Sequence, residues 1–167
     1  MSLEDAASAD RRGDIELAAA LYEQALVSNE SSLASLLDLA ILYWQATDPG
    51  MAAAKELSPS FLETASRRFH ELLAEAERRY PSSTEPRFWR KYIAWADLGE
   101  PFDISECRQL LQENPAELIP AMRIFAVTEG KEARREALTL LRACEQVGTT
   151  RARYISSVIK AVLRRAG

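Results

Sequence analysis

Apolar residues recur every three to four positions along most of the chain, which is the spacing of one face of an α-helix. The clearest example is residues 33–46, LASLLDLAILYWQA, where Leu36, Leu39, Ala40 and Tyr43 fall at i, i+3, i+4 and i+7. The sequence contains no alternating β-branched run long enough to predict a strand. The pattern therefore predicts an all-α fold of about nine helices, in four antiparallel pairs plus a closing helix.

Turn and capping residues set the predicted helix boundaries. Gly13 is expected to close a turn, and Ser31-Ser32 offers an N-cap for the next helix. Residues 47–59, with Pro49-Gly50 and Pro59, form an insertion with at most a helical turn. Further predicted boundaries are Ser60 capping a long helix to about Tyr80, Asn114 capping a helix with Pro115 in its first turn, and Gly148-Thr149-Thr150 starting a last helix to about Arg165.

The stretch RFWRKYIAW, residues 87–95, interleaves aromatic and basic side chains. Such interleaving could provide a stacking surface for single-stranded nucleic acid. On a helix, however, Phe88, Tyr92 and Trp95 form one stripe, and Trp89 and Ile93 lie on the adjacent one. An apolar face this wide favours a helix sandwiched between neighbours. In an intermediate interpretation, Trp89 faces a binding groove as an anchor with Arg90 as its charged neighbour.

Composition and charge are those of a globular protein with unevenly placed charges. The chain has 167 residues, 47% hydrophobic and 28% charged, with a net charge of −4 that disfavours general nucleic-acid binding. Residues 1–32 carry seven acids and two bases, whereas residues 147–167 carry five bases and no acid. This polarity could favour head-to-tail self-association, or it could reflect two solvated ends. The oligomeric state is not predicted.

The sequence offers little for catalysis. His70 is its single histidine, and Cys107 and Cys144 are isolated thiols without metal-ligand spacing, expected to be buried and reduced. No phosphate loop or nucleophile elbow occurs. We expect no enzymatic activity, cofactor or metal. No leader and no apolar run of membrane-spanning length is visible, which predicts a cytoplasmic protein without membrane insertion.

The first 46 residues resemble the tetratricopeptide repeat. Gly13, Ala18, Tyr22 and Ala25 match the loop glycine, small, aromatic and second small positions of that family, and Ala6 matches the small position of the preceding helix. The stripe of residues 33–46 matches the start of a second repeat, whereas Glu30 departs from the boundary proline. Later, Leu98-Gly99-Glu100 is similar to a repeat helix end. The resemblance implies a right-handed α-α superhelix over residues 1–167, with clear repeats in 1–46, the insertion 47–59, degenerate pairs in 60–147 and a capping helix in 148–167.

The resemblance also implies a concave groove lined by the first helix of each repeat. The matching groove positions of the second repeat are Ala34, Leu37, Ile41 and Trp44, with Trp89 and Arg90 as further candidates. This mostly apolar strip suits a peptide or an amphipathic helix. Alternatively, a neighbouring helix or the insertion covers it. Family members that grip a C-terminal carboxylate use polar residues where this chain has Leu3, Ala7 and Asp38, so that binding mode is disfavoured.

These observations predict a non-enzymatic adaptor that binds a protein or peptide in the groove. One alternative is an inhibitor, immunity protein or secretion chaperone that occludes a protein partner. Another is an RNA-associated repeat protein that uses Arg87, Arg90, Lys91 and the C-terminal bases. The last helix is basic and amphipathic, so it could bind acidic partners or a membrane surface, or it could cap the repeat array.

Overall fold

A computed structural model describes residues 2–166, which form ten α-helices and no strand. The helices are α1 (Leu3–Arg11), α2 (Ile15–Val27), α3 (Leu33–Ala46), α4 (Pro49–Ala54), α5 (Pro59–Arg79), α6 (Glu85–Leu98), α7 (Ile104–Glu113), α8 (Ile119–Val127), α9 (Arg134–Val147) and α10 (Thr150–Ala166). The predicted all-α class is confirmed. The additional helix, α4, arises because the insertion forms a full short helix, which Asp48 caps by accepting from the backbone N of Met51 at 3.0 Å.

The contacts divide the chain into two compact units. The first comprises the described residues up to Arg79 together with Thr149–Arg151. The second comprises Tyr80–Gly148 and the described residues from Ala152 onward. The sequence predicted one continuous repeat domain, and the superhelical arrangement of that prediction stays a prediction.

In the first unit, α1 pairs with α2 and α3 pairs with α5, while α2 also contacts α3. Small residues allow these helices to approach closely: Ala18, Ala25 and Ala40 are all buried, as is Tyr22. Helix α3 is central, with 11 of its 14 residues buried. Since a surface helix buries only one stripe, α3 is covered on nearly all sides.

Two predicted boundaries of the first unit are confirmed and one is wrong. Gly13 adopts a φ of +78° that favours glycine, and Ser32 forms a capping box with Ser35. The helix predicted to be capped by Ser60 begins earlier, because the hydroxyl of Ser58 accepts from the backbone N of Phe61 at 3.3 Å. Pro59 then occupies the first turn, where its missing N–H is no loss.

In the second unit, an aromatic cluster fills the core around α6. Phe88, Trp89 and Tyr92 are buried, and the Trp89 ring lies 5.5 Å from Phe88, 5.6 Å from Tyr92 and 6.0 Å from Tyr154. The core interpretation of residues 87–95 is therefore confirmed for these rings, which offer no stacking surface. Trp95 departs from it, since its side chain is 39% exposed.

The helix start predicted at Asn114 is also wrong, because a residue after Asn114 caps α6 instead. Asn114 ends α7, and α8 begins only at Ile119, with Pro120 in its first turn. The intervening residues stay in a turn because Glu117 caps α6 from the side. Its Oε1 accepts from the backbone N of Thr84 at 2.6 Å and of Glu85 at 3.2 Å, and its Oε2 accepts from the Ser83 hydroxyl at 2.7 Å.

Stability should fall in acid as Glu117 becomes protonated. Burial opposes the charged carboxylate, but the donors of Ser83, Thr84 and Glu85 outweigh it and hold the pKa of Glu117 below its usual range. A carboxyl whose folded pKa is depressed stabilises the fold above its unfolded pKa, and this contribution is lost as pH falls through the folded pKa.

Urea unfolding of wild type and Glu117→Gln at about pH 7, pH 5 and pH 3 measures this effect. We expect the variant to be less stable by about 1–2 kcal/mol at neutral pH. The difference should shrink as the pH falls, because protonation of the wild-type carboxyl removes the charge that the variant lacks. A difference that stays constant with pH would contradict this role of the charge.

The last helix, α10, packs its apolar side into the protein. Ala152, Ile155, Ile159 and Val162 are buried, and the role of this helix as the cap of a repeat array stays a prediction. A face that is packed in this way is not free to lie on a membrane surface. Separately, none of the helices in residues 2–166 is both long enough and apolar enough to span a bilayer.

Candidate binding sites

The four groove residues predicted on α3 share that helix, but three of them are inaccessible. Leu37, Ile41 and Trp44 are buried, whereas Ala34 at the start of the helix is exposed. Of the two candidates on α6, Trp89 is buried and Arg90 is exposed. The buried side chains therefore serve the core in this structure. Partner binding through any of the six residues stays a prediction.

The chain's own residues 149–151 lie on the face of α1 and α3, held first by Asp10. Asp10 is only 1% exposed. Its Oδ1 accepts from the backbone N of Thr150 at 2.9 Å and from the Thr150 hydroxyl at 2.6 Å, and its Oδ2 accepts from the Tyr22 hydroxyl at 3.3 Å. A buried carboxylate is tolerated only with such donors. Asp10 of α1 thus holds Thr150 within the first unit.

Asp38 holds the same segment onto α3. Its Oδ1 accepts from the Thr149 hydroxyl at 3.3 Å and from Nε of Arg151 at 2.8 Å, with both members of the ion pair mostly buried. Asp38 lies four residues after Ala34 and three before Ile41, so the three residues share one side of α3. We call the surface formed by these three residues and Asp10 the α1–α3 face. Residues 149–151 therefore occupy the side of α3 on which the sequence predicted a groove.

The electrostatics of this face keep Tyr22 neutral. Burial, with the nearby carboxylates of Asp38 and Asp10, raises the pKa of Tyr22 far above its usual range. Its hydroxyl therefore remains a hydrogen-bond donor to Asp10 at every physiological pH. The resemblance drew attention to Tyr22 as an aromatic repeat position, but no sequence signal indicated its carboxylate partner.

A second candidate site is a groove between α9 and α10 in the second unit, with a volume of about 560 Å³. Basic side chains from α10 line it, namely Arg153, Lys160 and Arg164, together with the hydroxyls of Ser156 and Ser157. Glu145 of α9 is the one acidic residue of the lining within the described part of the chain, and it lies 3.9 Å from Lys160. Sequence reasoning identified the bases but not the groove, because only the packing of α9 against α10 creates it.

A third candidate is an exposed apolar patch at the end of α6. Leu98 is 74% exposed, and the partly exposed ring of Trp95 carries the Arg123 guanidinium at 4.0 Å from its centroid. Arg123 also donates from Nε at 2.9 Å and Nη2 at 2.6 Å to the carbonyl oxygen of Phe102. Arg123 therefore links α8 to the loop after α6.

No metal-binding arrangement is found among residues 2–166. No group of three His, Cys, Asp or Glu side chains could hold a metal ion in that range, and His70 lies exposed beside the Phe69 ring. Cys107 and Cys144 are buried and form no disulfide, as the sequence predicted. Burial raises the pKa of the Cys107 thiol to about 12, so it is not a reactive thiolate at neutral pH.

Comparisons with known proteins assign this chain to no family. No protein-family model matches the chain, and neither curated proteins nor solved structures give a significant match. The structure defines an all-helical protein whose ten described helices pack against their neighbours. That arrangement is compatible with a helical repeat.

Proposed function

We propose that this chain is a tetratricopeptide-like scaffold that binds a protein partner and catalyses no reaction. The pairing of α1 with α2 and of α3 with α5 supports this proposal, because it follows the order of helices in two consecutive repeats. The burial of Ala18, Tyr22 and Ala25 also supports it, since the family places small and aromatic residues at these positions to allow close helix packing.

One observation supports the proposal further: the α1–α3 face holds residues 149–151 of this chain through Asp10 and Asp38. A partner segment with hydroxyl or guanidinium donors would satisfy the same two carboxylates. In our proposal, the partner therefore competes with residues 149–151 and engages the exposed Ala34 beside them.

A matched pair of variants tests this surface. Ala34 on α3 and Ala20 on α2 are both exposed alanines of the first unit. Ala34→Arg should block a partner on the α1–α3 face, whereas Ala20→Arg should not. Both substitutions leave the core intact, which circular dichroism and urea unfolding check.

The measurement is affinity capture from a lysate of the source organism, followed by mass spectrometry. We expect a partner captured by wild type and by Ala20→Arg to be reduced roughly tenfold with Ala34→Arg, as for a side chain near the centre of an interface. Equal capture by both variants would place the binding surface elsewhere and remove the α1–α3 face from the proposal.

The RNA-binding alternative gains no support from the geometry. Arg87 forms an ion pair with Glu113, and Lys91 pairs with Glu106 at 2.8 Å. The neighbouring rings of Phe88 and Trp89 are buried. The ion pairs of Arg87 and Lys91 and the burial of the two rings therefore do not favour a nucleic-acid strand on this part of α6.

A further inference from the structure

We propose that the groove between α9 and α10 is a second binding site, which accepts an acidic segment of a partner protein. The site lies in the second unit and is formed by residues other than those of the α1–α3 face. The inference therefore goes beyond the proposed function and can hold or fail independently of it.

The bases of the groove follow one side of α10. Arg153, Lys160 and Arg164 are separated by seven and four residues, close to two turns and one turn of helix. At 1.5 Å per residue, they extend over about 16 Å along the axis. Three bases against the single Glu145 give the groove a positive charge in a chain whose net charge is −4.

These charges are only partly neutralised within the protein. Arg164 makes no hydrogen bond or ion pair with any residue in 2–166. The Lys160–Glu145 pair is long at 3.9 Å and half-exposed, so it is weak. Arg153 donates from Nη1 at 2.6 Å to the carbonyl oxygen of Gly148 at the end of α9, which fixes this side chain at one end of the groove.

Ser156 provides an observation that is independent of the charges. It lines the groove, and its hydroxyl forms no hydrogen bond within the described residues but is accessible from the groove, since no buried side-chain oxygen of those residues lacks a partner. A ligand oxygen in the groove can therefore bond to this hydroxyl without displacing an internal partner. The neighbouring Ser157 hydroxyl already donates to the carbonyl of Tyr154 at 2.7 Å.

The groove chemistry selects an acidic peptide over a nucleic acid. No aromatic ring belongs to the described lining, so bases have nothing to stack on. Carboxylates match guanidinium groups in a planar, two-bond geometry, and two arginines lie at opposite ends of the stripe. An extended segment of about five residues spans the same 16 Å, so alternate Asp or Glu side chains can reach successive bases.

Fluorescence anisotropy with a labelled peptide of alternating Asp and Ser tests the site on the full chain. The matched pair is Arg164→Glu, inside the groove, and Arg165→Glu, one residue away and outside its lining. Both change the net charge equally. We expect Arg164→Glu to raise the Kd about tenfold and Arg165→Glu to change it far less, because only the first places a like charge beside the ligand.

Three further readouts decide the outcome. Binding should weaken between low and physiological salt, and the peptide should bind more tightly than an oligouridylate of similar length. Ala34→Arg, which tests the α1–α3 face, should leave peptide binding unchanged. The proposal is overturned if the peptide does not bind, if both glutamate variants weaken binding equally, or if the oligouridylate binds more tightly.

Discussion

Replacing Trp89 with alanine should lower the free energy of unfolding by about 3–5 kcal/mol. The side chain is completely buried, and it contacts the rings of Phe88, Tyr92 and Tyr154. Its Nε1 also donates to Oε2 of Glu85 at 2.9 Å. The substitution therefore leaves a large cavity and removes a hydrogen bond. Since whole domains are stable by only about 5–15 kcal/mol, the expected loss is a large share of the total.

Trp95→Ala is the matched control, because it makes the same chemical change on the same helix. Trp95 is 39% exposed, and its ring contacts the Arg123 guanidinium and the ring of Tyr92, whose centroid lies 5.4 Å away. We expect a loss of about 1 kcal/mol, typical of a partly exposed cation–π contact. Urea unfolding followed by far-UV circular dichroism measures both variants. Similar losses for Trp89 and Trp95 would show that the aromatic cluster is not the core of the second unit.

Asp10→Ala should destabilise the protein by about 3 kcal/mol. The substitution removes the acceptor of three donors at once, which are the backbone N–H and hydroxyl of Thr150 and the hydroxyl of Tyr22. Each buried donor left without an acceptor costs about 1–3 kcal/mol. Since these donors hold the first turn of α10, hydrogen exchange of residues 149–151 should also become faster.

Two comparisons separate this effect from a general loss of helix α1 or of charge. Asp10→Asn retains an acceptor oxygen for Thr150 and should be milder than the alanine variant. Asp14→Ala removes an exposed carboxylate that makes no side-chain capping bond, and it should change stability by less than about 0.5 kcal/mol. If Asp10→Ala is no worse than Asp14→Ala, the contacts of Asp10 do not hold residues 149–151.

Local sequence patterns were sufficient for the helices and for most of the core. Hydrophobic spacing predicted α3 and α6, and the buried rings of Phe88 and Tyr92 follow from the wide apolar face of α6. The serine pair before α3 gave the correct N-cap. These features depend on residues within one or two helical turns, and sequence reasoning sees that range directly.

The accessibility of α3 could not be predicted in the same way. Periodicity reports that Leu37, Ile41 and Trp44 lie on apolar sides of a helix, but it does not report what covers them. The residues that bind beside them, Thr149 and Arg151, lie 111 and 113 positions from Asp38 in the sequence. Contacts at such separations leave no local pattern.

Side chains that serve a distant helix end were missed for the same reason. Glu117 caps α6 from 32–34 residues away. Without that contact in view, the sequence around Asn114 and Pro115 resembles an ordinary helix start. The groove between α9 and α10 is a further example, since it depends on how two helices pack rather than on either one alone.

The placement of residues 149–151 in the first unit has a consequence for how the chain folds during synthesis. The remainder of that unit ends at Arg79, so the ribosome must add about 70 residues before the unit is complete. At a synthesis rate of roughly 5–20 residues per second, residues 149–151 are added several seconds or longer after the rest of the first unit. Until then, Asp10 and Asp38 lack the donors that these residues supply. During this interval the nascent first unit lacks its contacts with residues 149–151, and the α1–α3 face is at its most accessible.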